Sequence, residues 1–323
     1  MNSDVSVLSR LHNSDGTGAA GRHTISTRDY KQPKDSRQDK KVQDEHLLPF
    51  GHARLPFGHA RTTRQAYPRI SVITPSYNQA VFLETAILSV LNQHYPNLEY
   101  IVIDGGSMDG SVEIIKKYRH CLSYWISEPD KGMYHAINKG LRMARGEIIA
   151  YLNSDDLYLP DAFRAAVEHF QKEPQAALIY SNCLFIDANG DCLYTYRYLP
   201  FTLRRFAALT WSSIAQPTTF WRNSIHQAGI YFDESFKMAG DFDFYLRVGQ
   251  QFRIDYIKGT IAAFRLHQNS QSARHRKLRL EELSRIRKKH SLLYHKRGLK
   301  LWRYVGELQM KMANFPLMLR KLL

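Results

Sequence analysis

The sequence predicts an α/β fold: a mostly parallel sheet with helices on both faces, preceded by a disordered region and followed by a basic helical segment. Three observations carry this expectation. Between Tyr67 and Leu152, short apolar runs rich in β-branched residues alternate with segments whose apolar residues recur at helical spacing. Each run stops at a cluster of Pro, Gly, Asp, Asn or Ser. A length of 323 residues at 44% apolar composition leaves ample chain to bury a core.

Residues 1–66 are rich in Ser, Asp, Gly, Arg and Gln and lack apolar periodicity, which predicts disorder. They contain a seven-residue tandem repeat, Leu48 to Arg54 and again Leu55 to Arg61. Two copies are too few for a solenoid and read as a duplication in a tolerant linker. Order is expected from Tyr67. Ile70 to Thr74 is a short β-branched strand stopped by Pro75. Val81, Phe82, Ala86, Ile87, Val90 and Leu91 follow at helical spacing. Leu98 to Ile103 reads as a second strand, halted at Asp104-Gly105-Gly106. A short helix from Ser111 to Tyr118, a third strand from Leu122 to Ile126 and a helix from Met133 to Ala144 come next. A fourth strand, Glu147 to Leu152, runs into Asn153-Ser154-Asp155-Asp156. From Ala176 the runs are shorter: Leu178 to Cys183, Cys192 to Tyr196 and Thr218 to Trp221. A helix from Asp241 to Val248 precedes two strands, Phe252 to Ile257 and Thr260 to Phe264. The organisation expected is a disordered region over 1–66, an α/β domain over 67–270 and a basic amphipathic helical tail over 271–323.

The net charge of +15 invites a polyanionic partner, but it is unevenly placed. Residues 67–270 carry 19 basic and 20 acidic side chains, whereas residues 271–323 carry 15 and 3. That weakens the case for a chain built wholly to bind nucleic acid. Three scattered cysteines and no C-x-x-C spacing exclude a disulfide framework or a zinc site and predict a reduced, cytoplasmic setting. No apolar run approaches the ~20 residues of a spanning helix, and no basic-then-apolar signal region opens the chain.

In parallel sheets ligands bind beyond the carboxyl ends of the strands. Thr74-Pro75-Ser76-Tyr77, Asp104, Glu128-Pro129-Asp130 and Asp155-Asp156 all fall there. Adjacent carboxylates at a strand end repel each other unless a cation sits beside them. A hard divalent ion, Mg²⁺ or Mn²⁺, takes one or two carboxylates and completes its shell with phosphate and water. The alternative is a polar turn with Asp156 or Asp161 capping the next helix. Asp104 suits a hydrogen bond to a base or ribose, or plain turn chemistry. Gly105 to Gly110 does not spell G-x-G-x-x-G and no P-loop occurs, which disfavours both nucleotide-binding fingerprints. Asp241, at the start of a helix, is placed as an ionised general base or as an N-cap.

The string Ile70-Ser71-Val72-Ile73-Thr74-Pro75-Ser76-Tyr77-Asn78 closely resembles the opening motif of family 2 glycosyltransferases, the inverting, nucleotide-sugar-dependent enzymes of GT-A fold. Ile103 to Gly110, Ser127 to Tyr134, Ala136 to Gly140, Gly146 to Asp156 and Gly240 to Asp243 resemble its later motifs in order, so the similarity spans about residues 68–270. The resemblance implies that Thr74, Pro75 and Tyr77 line the nucleotide base and that Asp104 hydrogen-bonds it. Asp130 and Lys131 border the nucleotide, with Lys131 toward phosphate. Asn153, Ser154 and Asp155 occupy the D-x-D position, making Asp155 the metal ligand and Asp156 a neighbour of the donor sugar. Asp241 matches the catalytic base. Arg265 and His267 match an Arg-x-His at the end of the last strand, facing the diphosphate or the metal, or else a polar loop end.

There are departures. Asn153 replaces the first Asp of D-x-D, Gly240 stands where many members have Glu, and His135 stands where many have Asp, read as a surface replacement. Trp211, Trp221 and Tyr245 fit a sugar-stacking wall or the core. The tail from Arg274 to Leu323 alternates basic and apolar residues, as does a helix lying on an anionic membrane or one packed on the catalytic domain. Removing 275–323 is expected to free the protein from anionic liposomes and leave the catalytic domain folded. The expected activity is a metal-dependent, hexosyltransferase-type transfer from a nucleoside-diphosphate sugar to a glycan or lipid-linked hydroxyl, in surface polysaccharide or lipid-linked oligosaccharide synthesis. The expected place is the cytoplasm, peripheral at the inner face of the plasma membrane, with no nucleic-acid partner. The rival readings are a basic nucleic-acid-binding protein and an inactive transferase-like binding module.

Overall fold

A computed structural model describes residues 67–209, 213–290 and 296–314. The tandem repeat, the remainder of the first 66 residues and Trp211 lie outside the described residues. The elements in chain order are β1 (Ile70–Ser76), α1 (Ala80–Leu91), β2 (Leu98–Asp104), α2 (Ser111–Tyr118), β3 (Tyr124–Ser127), α3 (Met133–Met143), β4 (Ile148–Tyr151), β5 (Leu157–Tyr158) and α4 (Ala162–Lys172). They continue as β6 (Ala176–Ile186), β7 (Cys192–Tyr196), α5 (Leu203–Ala208), β8 (Phe220–Arg222), α6 (Ser224–Gln227), α7 (Gly240–Gln251), β9 (Arg253–Arg265), α8 (Gln271–Arg274), α9 (Arg276–Lys289) and α10 (Lys296–Ala313).

The strands form one sheet in the order β3-β2-β1-β4-β8-β6-β9-β5, with β7 paired to β6. β1, β2, β3 and β4 run parallel. β8 is antiparallel to both β4 and β6, and β9 is parallel to β6. Six strands therefore point one way, and only β5, β7 and β8 oppose them. Every residue of β1 and β4 is buried, as expected for parallel strands covered on both faces.

One expectation is corrected, and one strand was not foreseen. Phe252 to Ile257 and Thr260 to Phe264 are not separate strands: β9 is continuous through Lys258 and Gly259, and its register with β6 slips between Tyr180 and Cys183. A bulged ladder absorbs the interruption that polar Lys258 and Gly259 suggest in the sequence. β5 is only two residues long and carries no periodicity that a sequence pattern can reveal.

The core beneath β4 is aromatic. Phe232 stacks on Phe244 of α7 at 4.3 Å between ring centroids and on Tyr134 of α3 at 5.5 Å. Tyr151 of β4 meets Phe232 edge-on at 5.4 Å. This stack, favoured by offset and edge-to-face geometry, ties α3 and α7 to the end of β4. Trp221 and Tyr245 are fully buried in the same cluster, so they are core residues and not a sugar-stacking wall.

The basic C-terminal helices belong to this core. Leu283 and Ile286 of α9 and Met310 of α10 are buried with Phe206 and Phe242. Arg287 donates to the carbonyls of Ala207 and Leu209. Removing residues 275–323 strips these contacts, so residues 67–270 are not expected to stay folded without them. No described helix is long and apolar enough to cross a membrane.

Candidate active site

The loops after β1 and β2 are sewn together. Asn78 takes a left-handed backbone (φ 51°) and donates its N–H to Ser107 Oγ at 2.8 Å, while its Oδ1 accepts the Met108 N–H at 3.0 Å. The Ala80 N–H at the start of α1 donates to Asp109 Oδ2 at 2.9 Å. Asp104 is fully buried at the end of β2. Its Oδ2 accepts from Gly106 N (3.1 Å), Ser107 N (2.8 Å) and Ser127 Oγ (2.7 Å), and its Oδ1 accepts from Ser107 Oγ (2.6 Å). Those four bonds fill a carboxylate's usual acceptor capacity, so Asp104 acts on this loop first.

Of residues 74–77 only Tyr77 presents its side chain to solvent, at 59% exposure. Thr74 bonds the Tyr100 hydroxyl at 3.1 Å inside the sheet, and Pro75 is buried beside it. Gly105 sits between Tyr77 and Asp130. A Cβ there would come 2.7 Å from Asp130 Oδ2 and 3.2 Å from Tyr77 Cδ2, so a side chain would wedge the two apart. Asp130 Oδ1 accepts the Gly132 N–H at 2.7 Å, and Lys131 is exposed next to it. Tyr77, Gly105 and Asp130 thus meet at one rim.

The acidic end of β4 is held from three directions. Asn153 Nδ2 donates to Gln216 Oε1 at 3.0 Å, and Gln216 Nε2 donates to the Tyr151 carbonyl at 2.8 Å. Asp155 Oδ2 lies 3.0 Å from His267 Nε2. Asp156 is buried, and its Oδ1 accepts the Arg265 backbone N–H at 3.0 Å. Neither Asp156 nor Asp161 caps α4; Asp161 makes no capping bond and pairs with Arg164. Burial, reinforced by the neighbouring charge of Asp155, pushes the Asp156 carboxyl well above the usual carboxylate range.

Arg265 is committed within the protein. Its Nε donates to the Asp155 carbonyl at 2.9 Å, and its Nη1 donates to the carbonyls of Asp187 (3.2 Å) and Ala188 (3.1 Å). Its guanidinium lies 4.9 Å from the Phe82 ring centroid. The expected phosphate partner is thus a buried brace of the acidic turn. His267 packs on the same Phe82 ring at 4.6 Å.

The residues present fit a hard divalent cation in part. Asn153 Oδ1 is a buried acceptor without a hydrogen-bond partner beside two carboxylates. Among the described residues no three His, Cys, Asp or Glu side chains group to hold an ion. A cation here would draw on Asp155 and the Asn153 amide oxygen and take further oxygens from a ligand, as Mg²⁺ and Mn²⁺ do.

Asp241 is the second residue of α7, half-buried, and its Oδ1 accepts the Phe242 N–H at 2.8 Å. Its own N–H donates to the Tyr134 hydroxyl at 3.2 Å. Burial raises its carboxyl above the ordinary value, against the pull of Arg279 and the backbone N–H groups of the helix start. The buried hydroxyl of Tyr151 is raised first by burial, then by Tyr245 and Tyr134, and also by the charges of Asp241 and Asp156. The second carboxylate of the motif, Asp243, is structural: fully buried, it binds Arg247 Nε (2.7 Å), Lys289 Nζ (3.1 Å) and His290 Nε2 (2.9 Å). His135, expected as a surface replacement, is half-buried with its Nδ1 buried and unpartnered.

Sequence reasoning missed Tyr134, Gln216 and Ser127. Tyr134 lies inside a quoted motif, but nothing local to it shows that its hydroxyl meets α7.

The profile described as Glycosyl transferase family 2 matches residues 71–227. An uncharacterized glycosyltransferase of Mycobacterium tuberculosis is 34% identical over 182 residues, covering 56% of this chain and 68% of the relative. Chondroitin synthase of Escherichia coli is 29% identical over 190 residues, covering 58% of this chain, and the chain spans only 27% of that relative. The mannosyltransferase PcManGT of Pyrobaculum calidifontis, solved in complex with GDP-Man and Mn²⁺, is similar in fold with a TM-score of 0.55 at 20% identity, covering 76% of this chain and 71% of that one. The matching family profile and a two-thirds share of a 34% identical relative lead to one conclusion: the chain belongs to glycosyl transferase family 2.

Proposed function

We propose that this glycosyltransferase moves a hexosyl unit, with inversion, from a nucleoside-diphosphate sugar to a hydroxyl of a glycan or lipid-linked acceptor in surface polysaccharide synthesis. The observation that carries the reading is that the end of β4 and the start of α7 are tied through one aromatic stack: Tyr151 meets Phe232, Phe232 stacks on Tyr134, and the Tyr134 hydroxyl accepts the Asp241 N–H. Asp155 and Asp156 lie in the turn that follows β4, and Asp241 is at the start of α7. A donor diphosphate belongs at the first, and a proton-accepting group belongs at the second.

On the donor side the exposed ring of Tyr77 offers a face to the base, and Asp130 offers acceptor oxygens beside it. Asp104 and Thr74 shape that rim from below, and Lys131 supplies a cation toward phosphate. Asp155 and Asn153 would hold a divalent cation, Mg²⁺ or Mn²⁺, whose charge offsets that of the departing diphosphate. His267 orients the Asp155 carboxylate and Arg265 braces the turn that carries it. Asp156 sits toward the donor sugar.

On the acceptor side Asp241 takes the hydroxyl proton while the acceptor oxygen attacks the anomeric carbon in line. The carbon–oxygen bond to the diphosphate breaks with its electron pair leaving on the diphosphate, and the proton ends on Asp241. A carboxylate raised by burial is a stronger base than one in water.

The basic tail supports a second contact, with an anionic bilayer at the inner face of the plasma membrane. Tyr304, Leu308 and Met312 stand one turn apart along one face of α10, at 68%, 47% and 69% exposure. Arg303 and Lys311 are exposed beside them. Apolar insertion flanked by cations is the pattern of an interfacial helix.

The test is a thermal-shift screen of UDP, GDP and dTDP with and without Mn²⁺, followed by turnover of the matching sugar nucleotides. Metal-dependent stabilisation by one nucleoside diphosphate supports the reading. Binding of a nucleotide with no release from its sugar in any acceptor mixture points to an inactive binding module instead.

A further inference from the structure

The turn in front of Asp241 is closed by a carboxylate that arrives from the C-terminal helix. Glu282 of α9 is 4% exposed. Its Oε1 accepts the Lys237 N–H at 2.8 Å, and its Oε2 accepts those of Met238 (2.8 Å) and Ala239 (2.9 Å). Three consecutive N–H groups converge on one carboxylate, each bond charge-assisted. α7 has no side-chain cap of its own, and Ala239 occupies the capping position. The start of this helix therefore depends on an acceptor outside it.

The rest of that stretch is fixed to α9 as well. Lys289 bonds Asp233 Oδ2 at 2.8 Å, Arg285 donates to the Ser235 carbonyl at 2.7 Å, and its guanidinium lies 4.3 Å from the Phe236 ring centroid. Leu283 and Ile286 anchor the helix in the core between these contacts. Residues 233–239 thus lie along α9, and Asp241 follows two residues later. Glu282 and Arg279, one turn apart on α9, also bear on the Asp241 carboxyl with opposite sign: Arg279 lowers it and Glu282 raises it.

We propose that Glu282 is a positioning residue for Asp241, and that α9 completes the active site as well as the core. The proposal rests on Asp241 being the base. Misplacing a reacting group by about 1 Å costs up to roughly 10²-fold in rate, so a clamp on the turn before the base acts on turnover more than on donor binding. The charged and titratable groups around Asp241 are Arg279 and Glu282 from α9, Tyr134 from α3, Tyr151 from β4 and Tyr245 on α7 itself.

The test compares full-length wild type, Glu282→Gln, Glu282→Asp and Asp241→Asn, with UDP-N-acetylglucosamine and GDP-mannose as donor probes in the presence of Mn²⁺. Glu282→Gln turns one acceptor oxygen into an amide donor that faces an N–H. The expected result is a fall in kcat of roughly ten- to hundred-fold with the donor KM within about twofold. The acid limb of its pH–rate profile moves to lower pH, because a negative charge near Asp241 is gone. Glu282→Asp, which keeps the charge, recovers part of the rate and retains the wild-type acid limb. Hydrogen exchange reports the clamp without turnover: the amides of 237–239 lose protection in Glu282→Gln, while those of α1 and α4 do not. Unchanged protection at 237–239, or a wild-type kcat in Glu282→Gln, overturns the proposal. If Asp241→Asn itself turns over normally, the base assignment fails, and altered 237–239 protection in Glu282→Gln then reports a purely structural clamp.

Discussion

The ring of Tyr134 fills the space where a side chain on Gly240 would begin, and its hydroxyl accepts the N–H of Asp241 at 3.2 Å. A Cβ on Gly240 would come 2.6 Å from Tyr134 Cε2. Tyr134 is buried and stacked on Phe232, so it has nowhere to retreat. This contact accounts for a glycine at position 240: the aromatic ring of α3 occupies the space in front of α7.

Gly240→Ala is accordingly expected to destabilise the protein by about 1–3 kcal/mol through overpacking, and to lower turnover by shifting Asp241. Urea unfolding and steady-state rates measure both effects. A variant with wild-type stability and rate would show that the Tyr134–Gly240 contact is slack.

Stability also carries a pH signature. Trp221 Nε1, a donor only, bonds His226 Nε2 at 2.8 Å, so His226 keeps its proton on Nδ1, 2.8 Å from the Ile230 carbonyl. Burial holds this imidazole down to about 4, against the opposing pull of Ile230. The unfolded chain protonates it near its ordinary 6.5, so the unfolded state takes up the proton first. Stability from this group is complete above about 6.5 and is lost as pH falls toward about 4, by on the order of 3 kcal/mol. His226→Gln should therefore flatten the urea midpoint between those limits relative to wild type. An identical slope in the two proteins would place the pH dependence elsewhere.

The membrane reading is tested by substitution, because deletion of the tail also removes Leu283, Ile286 and Glu282 from the fold. Tyr304→Ser, Leu308→Ser and Met312→Ser together should weaken binding to phosphatidylserine liposomes several-fold and leave thermal stability unchanged. Each basic residue near such a surface contributes about 1 kcal/mol, so raised salt should release the wild type. Equal binding by the triple variant would move the contact off α10.

The parallel half of the sheet was legible because its strands are buried on both faces and its candidate site residues sit at their ends. Ile70 to Thr74 and Leu98 to Ile103 lie within β1 and β2, and Tyr77, Asp104, Asp130 and Asp155 fall on one rim. The second half was harder. β5 is two residues long, and β9 is continuous where Gly259 suggested a break. The roles of Arg265 and Asp243 were hidden for another reason. Each resembles an exposed functional group in sequence, yet each is satisfied by distant partners: Asp187 and Ala188 carbonyls for one, Lys289 and His290 for the other. Glu282 was concealed by composition, since a single useful acid in a strongly basic segment makes no pattern.

The central claim is that Asp241 takes the acceptor proton while the β4 acids hold the donor end. The most direct measurement is turnover and nucleotide binding in Asp241→Asn across pH. The predicted result is a loss of roughly 10²–10⁴-fold in transfer, with the nucleoside-diphosphate thermal shift retained. Wild type should lose activity on acidification with a midpoint above the ordinary carboxylate value, because burial raises Asp241 and the base must be ionised. Transfer by Asp241→Asn at near wild-type rate, with the same acid limb, would contradict the account.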